Sequence, residues 1–171
     1  MINSVLKNLS VNCGKQKIIR MKFTPSKINM FTMLKLPSAY LTGVRLKEIS
    51  DESCKVNVKL KWMNQNPFKS MFWAVQGMAA ELSTGVLMMQ EIQKTQKKIS
   101  MLVTNMNANF SKKAKGRISF ECNQGYEISD VLKQAIETKE GQVVILKSQG
   151  VDEQGDVVSS FEFEWSVKVK S

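Results

Sequence analysis

The sequence predicts an α+β fold in which an antiparallel sheet wraps around one long apolar helix. A stretch of 21 residues, 70–90, holds a single charged side chain, Glu81, and so has the length and composition of an enclosed helix. Segments that alternate apolar and polar residues lie on both sides of this stretch, as expected for strands. With 171 residues, 43% of them apolar, the chain can bury one substantial core but is short for two domains. We therefore expect residues 21–171 to form one domain.

The first 20 residues are basic and contain no acid. They lack the continuous apolar core and the small-residue cleavage site of a secretory signal. Because Met21 opens a well-formed stretch, we expect residues 1–20 to be an N-terminal extension upstream of the true start.

The region before the long helix predicts a short helix and two strands. Apolar residues at helical spacing predict a helix from Ser26 to Leu36, which Pro37 ends. A strand is expected from Gly43 to Ile49, followed by a turn at residues 51–53. The next strand has an apolar face of Cys54, Val56, Val58, Leu60 and Trp62, with Lys55, Asn57, Lys59 and Lys61 on the other face, a pattern typical of an antiparallel sheet wetted on one side.

The central helix is predicted from Pro67 to Lys94. Its length would suffice to span a membrane, but polar residues and glycines interrupt the apolar run, so we expect no membrane span. A soluble helix that is apolar on nearly all sides must be enclosed by the rest of the fold.

The remaining chain predicts four strands and a second helix. Strands at Met101–Phe110 and Gly116–Cys122 are joined by the basic turn at residues 111–115. An amphipathic helix around Ile128–Ile136, with Ser129 as candidate cap and Gly141 closing it, is expected at the edge of the sheet. Strands at 142–147 and 157–170 form a closing hairpin. One helix followed by a sheet long enough to curl around it is the hotdog fold in outline.

Composition limits the chemistry. The chain has no histidine, which excludes Ser-His and Cys-His catalysis and zinc sites that use histidine. Three widely spaced cysteines form no C-x-x-C pair, so we expect no metal site and a reducing, cytoplasmic location. A net charge of +10 favours phosphates, anionic cofactors, acidic membranes or nucleic acid. The lysines are scattered and no recognition motif is present, so we expect no nucleic-acid partner.

The segment from Trp62 to Glu81 resembles the signature of phenylacetyl-coenzyme A type thioesterases of the hotdog superfamily. It is more similar still to a bacterial hotdog family known only as a domain of unknown function. In those thioesterases an Asn opens the segment, His-Gly-Gly begins the helix, and an acid fifteen residues after the Asn acts as base or nucleophile. Asn66 and Glu81 match at that spacing, whereas Phe72-Trp73-Ala74 replaces His-Gly-Gly.

The resemblance implies an acyl-coenzyme A thioesterase with a site at a dimer interface. Glu81 would be the general base or nucleophile, Asn66 would orient water or the carbonyl, and the backbone N–H of Trp73 would stabilise the oxyanion. Glu81 lies about 12 Å from Trp73 along the helix, so a homodimer or a dimer of dimers would complete the site. No separate cofactor is expected, because coenzyme A is part of the substrate or ligand. The cations expected to face its phosphates are Lys112, Lys113, Lys115, Arg117 and Lys69.

Other interpretations remain open at this point. Glu81 could be a structural carboxylate bonded to Gln76, Ser83, Thr84 or a partner chain. Asn66 could simply cap the helix, and the cations could be solvated side chains on a hairpin. A non-catalytic hotdog domain that binds acyl-coenzyme A or a lipid is the alternative function, because Phe72-Trp73 is bulkier than His-Gly.

Overall fold

The computed structural model describes residues 22–170, so the proposed extension at residues 1–20 lies outside the described residues. The order of elements follows the sequence prediction, with one short helix added. The helices are α1 (Pro25–Lys35), α2 (Pro37–Leu41), α3 (Trp73–Thr95) and α4 (Gly125–Thr138); the strands are β1 (Arg45–Ile49), β2 (Cys54–Lys59), β3 (Ile99–Phe110), β4 (Arg117–Cys122), β5 (Gln142–Val151) and β6 (Val157–Val169).

All six strands form one antiparallel sheet in the order β1-β2-β4-β5-β6-β3. Helix α3 packs against β2, β4, β5 and, to a smaller extent, β6. This is the α+β hotdog arrangement that the sequence predicts. No helix in residues 22–170 is both long and apolar enough to cross a membrane.

The core lies between α3 and the inner face of the sheet. Every second residue of β2, β4, β5 and β6 is buried, because alternate side chains of a strand point to opposite faces. Small residues of α3, such as Ala79 and Ala80, are fully buried and allow the helix to lie close to the strands. The outer face carries the cross-strand ion pairs Lys55–Glu121 and Lys147–Glu162, beside the exposed apolar Val143 and Ile145 of β5.

The predicted start of α3 at Pro67 is wrong, since the helix begins six residues later. Residues 66–70 form a tight turn in which the Lys69 amide donates to the Asn66 carbonyl over 3.0 Å and Lys69 has a φ of 56°. The Asn66 side chain accepts from the Phe68 amide at 2.9 Å. Asn66 therefore caps this turn and not the helix, because a short amide side chain can satisfy a turn as readily as a helix end.

Further differences concern the ends of elements and the positions of single residues. Pro37 ends α1 as predicted, but it also opens α2, where a proline is tolerated in the first turn. Strand β2 ends at Lys59, and Trp62 lies in a 3₁₀ turn with 83% of its surface exposed, so its predicted burial is wrong. Ser129 lies inside α4, which begins at Gly125 and ends before a left-handed Lys139.

Helix α4 does not lie at the edge of the sheet. It packs against α3 and over β5 and β6, which are interior strands. Strand β3 pairs with β6 and not with β4, so the basic turn at residues 111–115 is a crossover connection rather than a hairpin. Apolar periodicity indicates which face of an element is buried, but it does not specify the neighbour that covers that face.

Gly125 is expected to be indispensable at the start of α4. A Cβ atom there would lie 2.1 Å from the Asp51 carbonyl oxygen, and this backbone cannot move aside as a flexible side chain would. We expect Gly125→Ala to lower the free energy of unfolding by at least about 1–3 kcal/mol in urea denaturation. Gly141→Ala is the matched control, because the nearest atom to its added Cβ is 3.9 Å away. Equal stability of the two variants would contradict this account.

Candidate functional site

A cleft of about 400 Å³ lies at the N-terminus of α3. Its walls come from the turn before the helix, the first turn of the helix, the end of β3 and the basic turn that follows. Its lining residues are Asn66, Phe68, Ser70, Met71, Trp73, Gln76, Phe110, Ser111, Lys112, Lys113 and Ala114.

The helix N-terminus in this cleft carries unpaired donors. Phe72, the N-cap residue, makes no side-chain capping bond. The backbone amides of Trp73 and Ala74 have no acceptor in residues 22–170, whereas those of Val75 and Gln76 donate to the Phe72 carbonyl. Because unpaired amides and the helix dipole both favour negative charge, this end of α3 is suited to hold an oxyanion.

Two aromatic rings flank these donors. Phe72 and Trp73 are 43% and 53% exposed and meet edge to face, with ring centroids 5.7 Å apart. Trp73 lines the cleft and Phe72 does not, so Trp73 is the member of this pair that forms part of the wall. Phe72 and Trp73 stand where the resembling thioesterases have His-Gly, so the large Trp73 side chain replaces a glycine.

Asn66 is held rigidly against the cleft by its own turn. Its Oδ1 atom accepts from the amides of Phe68 and Ser70, at 2.9 and 3.2 Å, and its Nδ2 atom donates to the Ser70 hydroxyl at 3.0 Å. An amide nitrogen has two N–H donors, so one of them has no acceptor within residues 22–170.

Glu81 lies two turns further along α3, outside this cleft. Its carboxylate has no hydrogen-bond or ion-pair partner in the described part of the chain. The carboxylate lies beside Gly85 and the Trp165 ring. A Cβ atom built on Gly85 would be 3.1 Å from Oε1 of Glu81 and 3.4 Å from the Trp165 ring. Burial among such apolar groups raises the pKa of Glu81, because it disfavours the charged carboxylate.

The three polar neighbours considered as partners of the Glu81 carboxylate bond elsewhere. The Gln76 amide accepts from the Ser159 hydroxyl at 2.8 Å and donates to the Met71 carbonyl. Two further bonds join α3 to the sheet, between the Ser83 and Ser148 hydroxyls at 2.8 Å and from the Trp165 indole to the Thr84 hydroxyl at 3.2 Å. Thr84 also donates to the backbone carbonyl of Glu81, which leaves the carboxylate itself unbonded.

The cations predicted to face phosphates differ in availability. Lys112 lines the cleft but donates to Asp152 and Asp156 at 2.7 and 2.6 Å, and these hydrogen bonds raise its pKa. Lys113 also lines the cleft, with its Nζ atom 6.0 Å from the centre of the Phe68 ring. The three remaining cations, Lys69, Lys115 and Arg117, are exposed but outside the lining.

The structure thus brings four of the predicted site residues together and leaves the others apart. Asn66, Trp73, Lys112 and Lys113 share the cleft, while Glu81, Lys69, Lys115 and Arg117 do not line it. Sequence reasoning missed the lining residue Phe110, which is the last residue of β3 and 47% exposed. The sequence feature that could have identified Phe110 is its position next to the basic turn at residues 111–115.

Strand β3 is an open edge of the sheet. It pairs on one side with β6, and no described strand covers its other side. Its inward-facing Met106 and Phe110 are opposite buried residues of the inner face yet remain 39% and 47% exposed. An exposed strand edge with apolar side chains is a surface on which another strand can pair.

The sheet, the enclosed helix and the cleft at its N-terminus define a hotdog-fold protein. Residues 26–167 match the family described as Domain of unknown function (DUF4442), and the chain belongs to that family. A search of curated proteins gives no match.

Solved structures share this fold at low sequence identity. A protein of unknown function from Pseudomonas aeruginosa, provisionally named a thioesterase, has a TM-score of 0.74 and 21% identity over 86% of this chain and 97% of that one. A protein from Shewanella oneidensis, also provisionally named a thioesterase, has a TM-score of 0.72 and 12% identity over 85% of this chain and 97% of that one. A thioesterase from Haemophilus influenzae has a TM-score of 0.65 and 14% identity over 88% of this chain and 94% of that one. These similarities establish the fold of this chain.

The raised pKa of Glu81 predicts a pH-dependent loss of stability. The pKa of Glu81 is higher in the folded protein than in the unfolded chain, so protonation of this side chain favours the folded state. This contribution to the free energy of unfolding is complete below the ordinary glutamate pKa and is lost as the pH rises through the pKa of Glu81 in the folded protein. We therefore expect Glu81→Gln to raise the free energy of unfolding at neutral pH, and the gain to shrink on acidification. Urea denaturation of both proteins at a series of pH values measures this difference in the free energy of unfolding. Glu137→Gln, an exposed control on α4, should lack the gain, and a gain that grows on acidification would refute the assignment.

Proposed function

We propose that this protein hydrolyses an acyl thioester of coenzyme A at a site shared between two subunits. The observation on which the proposal rests is the combination, on one helix, of an unpaired desolvated carboxylate at Glu81 and two free backbone amides at Trp73 and Ala74. Hydrolysis of a thioester needs both a base to activate water and donors for the oxyanion. The resemblance of Trp62–Glu81 to the thioesterase signature and the provisional names of the structural neighbours point in the same direction.

The chemistry follows from these groups. Glu81 takes a proton from water while the water oxygen attacks the thioester carbonyl carbon. The oxyanion that forms is held by the Trp73 and Ala74 amides, with the free N–H of Asn66 available to orient water or carbonyl. Collapse of the intermediate breaks the C–S bond and releases the carboxylic acid and the thiolate, and the thiolate takes the proton back from Glu81, which restores the carboxylate. Because burial raises the pKa of Glu81, its carboxylate is a stronger base for this proton transfer than an ordinary glutamate.

A second subunit is part of the proposal. Glu81 and Trp73 are eight residues apart, about 12 Å along the axis of α3, so they cannot act on one carbonyl within a subunit. Pairing of two β3 edges across a twofold axis would place two α3 helices antiparallel and bring Glu81 of one toward Trp73 of the other. The open edge of β3 and the exposure of Met106 and Phe110 support this mode of association.

The ligand would lie along the cleft. The apolar side chains of Met71 and Phe110 suit the region next to the acyl group, and Lys113 at the cleft wall suits a phosphate. Lys112 would act mainly by fixing the wall, because Asp152 and Asp156 already neutralise its charge.

A non-catalytic role as an acyl-ligand-binding domain is the second candidate. The half-exposed Phe72–Trp73 pair favours it, because the bulky Trp73 stands where the resembling thioesterases have a glycine and could crowd the reacting carbonyl. Tight saturable binding of acyl-coenzyme A without release of free thiol would support this candidate over hydrolysis.

Turnover should depend on Glu81. Across a panel of acyl-coenzyme A chain lengths, free thiol release is expected for the wild type, and Glu81→Gln should lower kcat about 100- to 10,000-fold because the base is lost. The exposed control Glu137→Gln should retain full turnover. Equal turnover by wild type and Glu81→Gln would eliminate Glu81 as the base.

The oxyanion role of the Trp73 amide can be isolated with a proline. Trp73 is the first helical residue and Phe72 has φ −61° and ψ 134°, so a proline fits the backbone while it removes the N–H. We expect Trp73→Pro to lower kcat about 100- to 1,000-fold, and Trp73→Ala, which keeps the amide, to have a much smaller effect.

Mixed subunits test the shared site. Glu81→Gln and Trp73→Pro subunits, refolded together in equal amounts, should recover about one quarter of wild-type activity, because half of the dimers then contain one intact site of two. Sedimentation should show a dimer or a larger assembly. No recovery from a mixture that assembles normally would exclude a site built from two chains.

A further inference from the structure

Three large apolar side chains are held in solvent on the connection between β2 and α3, residues 60–72. Trp62, Phe68 and Met63 are 83%, 73% and 57% exposed. Trp62 and Met63 do not line the cleft, so ligand binding there does not explain their exposure. Several exposed aromatic and apolar side chains on one short segment usually mark a surface that binds a partner.

The backbone that presents these side chains is well anchored. Asn64, which follows Trp62 and Met63, is buried, and its side chain donates to the Thr42 and Lys59 carbonyls at 2.8 and 3.0 Å. The same side chain accepts from the Lys61 amide at 2.8 Å. The exposure of Trp62 and Met63 is therefore a property of a fixed turn.

Cations without acidic partners surround this segment. Lys59 and Arg117 are directly paired on β2 and β4, although like charges opposite each other are unfavourable. Four residues away on the same face, Lys55 is paired with Glu121 in an ion pair of 3.5 Å. In residues 22–170, no carboxylate lies within ion-pair distance of the cations next to the connection, which are Lys59, Lys61, Lys69, Lys115 and Arg117.

The nearest acids are already engaged. Asp152 and Asp156 bind Lys112, and Glu153 accepts from the backbone amide of Arg117 over 3.2 Å. Glu153 thus lies close to this cation without pairing with its side chain. The surface remains strongly positive around its exposed apolar side chains.

We propose that Trp62, Met63 and Phe68, together with Lys59, Lys61 and Arg117, form a docking surface for an anionic lipid bilayer. Aromatic and apolar side chains enter the headgroup region, and flanking cations bind lipid phosphates while their alkyl stems lie along the apolar layer. This combination matches both features of the surface, whereas a polyanion in solution would leave Trp62 and Met63 exposed.

Docking would place the cleft near the lipid. Phe68 belongs to both the surface and the cleft, and Lys113 of the cleft wall lies 6.0 Å from its ring centre. An acyl chain could then pass between bilayer and cleft with little exposure to water. The docking proposal does not rest on hydrolysis, since it uses none of the groups assigned to that reaction.

Vesicle flotation tests this surface. We expect the wild type to float with vesicles in which phosphatidylglycerol replaces about a third of the phosphatidylcholine, and not with phosphatidylcholine alone. Trp62→Ser/Met63→Ser should lose flotation, whereas Tyr126→Ser/Val143→Ser, which removes side chains that are 74% and 54% exposed elsewhere, should retain it. Glu81→Gln should float like the wild type, which separates this result from any failure of the proposed hydrolysis.

Charge variants complete the test. Lys59→Gln/Lys61→Gln/Arg117→Gln should weaken partitioning about 100-fold, since each cation near an anionic surface contributes about fivefold. Lys97→Gln/Lys98→Gln/Lys168→Gln removes equal charge at the opposite end of α3 and should have little effect. Equal losses in both triple variants, equal flotation with neutral vesicles, or binding to a nucleic acid without flotation would overturn the proposal.

Discussion

A helix that is apolar around most of its circumference must be covered from several sides, and the architecture follows from that constraint. The sheet is long enough to cover α3 with β2, β4 and β5, while α4 covers another side. Small residues such as Ala79 and Ala80 let the helix and the strands approach closely. Strand β3 lies at the edge of the sheet, and its Met106 and Phe110 remain exposed. The sheet therefore has an open edge at β3, which is the edge that the proposed second subunit would use.

Helix α3 also contains a few polar side chains, and they differ in whether another group bonds to them. Gln76, Ser83 and Thr84 each bond to a polar group of the sheet, so the fold compensates for their burial. The Glu81 carboxylate is left without such compensation in residues 22–170. Glu91, which is also buried on this helix, pairs with Lys94. Glu81 is only partly buried, and a carboxylate that combines a raised pKa with the lack of a partner marks a candidate functional site.

The sequence was sufficient for the fold and for the order of its elements, because apolar periodicity is set by which faces are buried. It was insufficient where several local structures could satisfy the same residues. Asn66 and Pro67 suit a helix start and a tight turn equally well, and only the packing of residues 64–72 decides between them. Likewise, the sequence suggested Lys112 as a free cation, because its partners Asp152 and Asp156 are forty residues away along the chain.

The bonds from Lys112 to Asp152 and Asp156 join one wall of the cleft to the tip of the β5–β6 hairpin. They lower the pKa of Asp152, whereas burial raises the pKa of Glu81, so Asp152 loses its proton at a lower pH than Glu81 does. The hairpin tip consequently stays fastened throughout the range in which Glu81 changes charge. A change in acidity that alters the charge of Glu81 therefore leaves the ion pairs that hold this wall of the cleft in place.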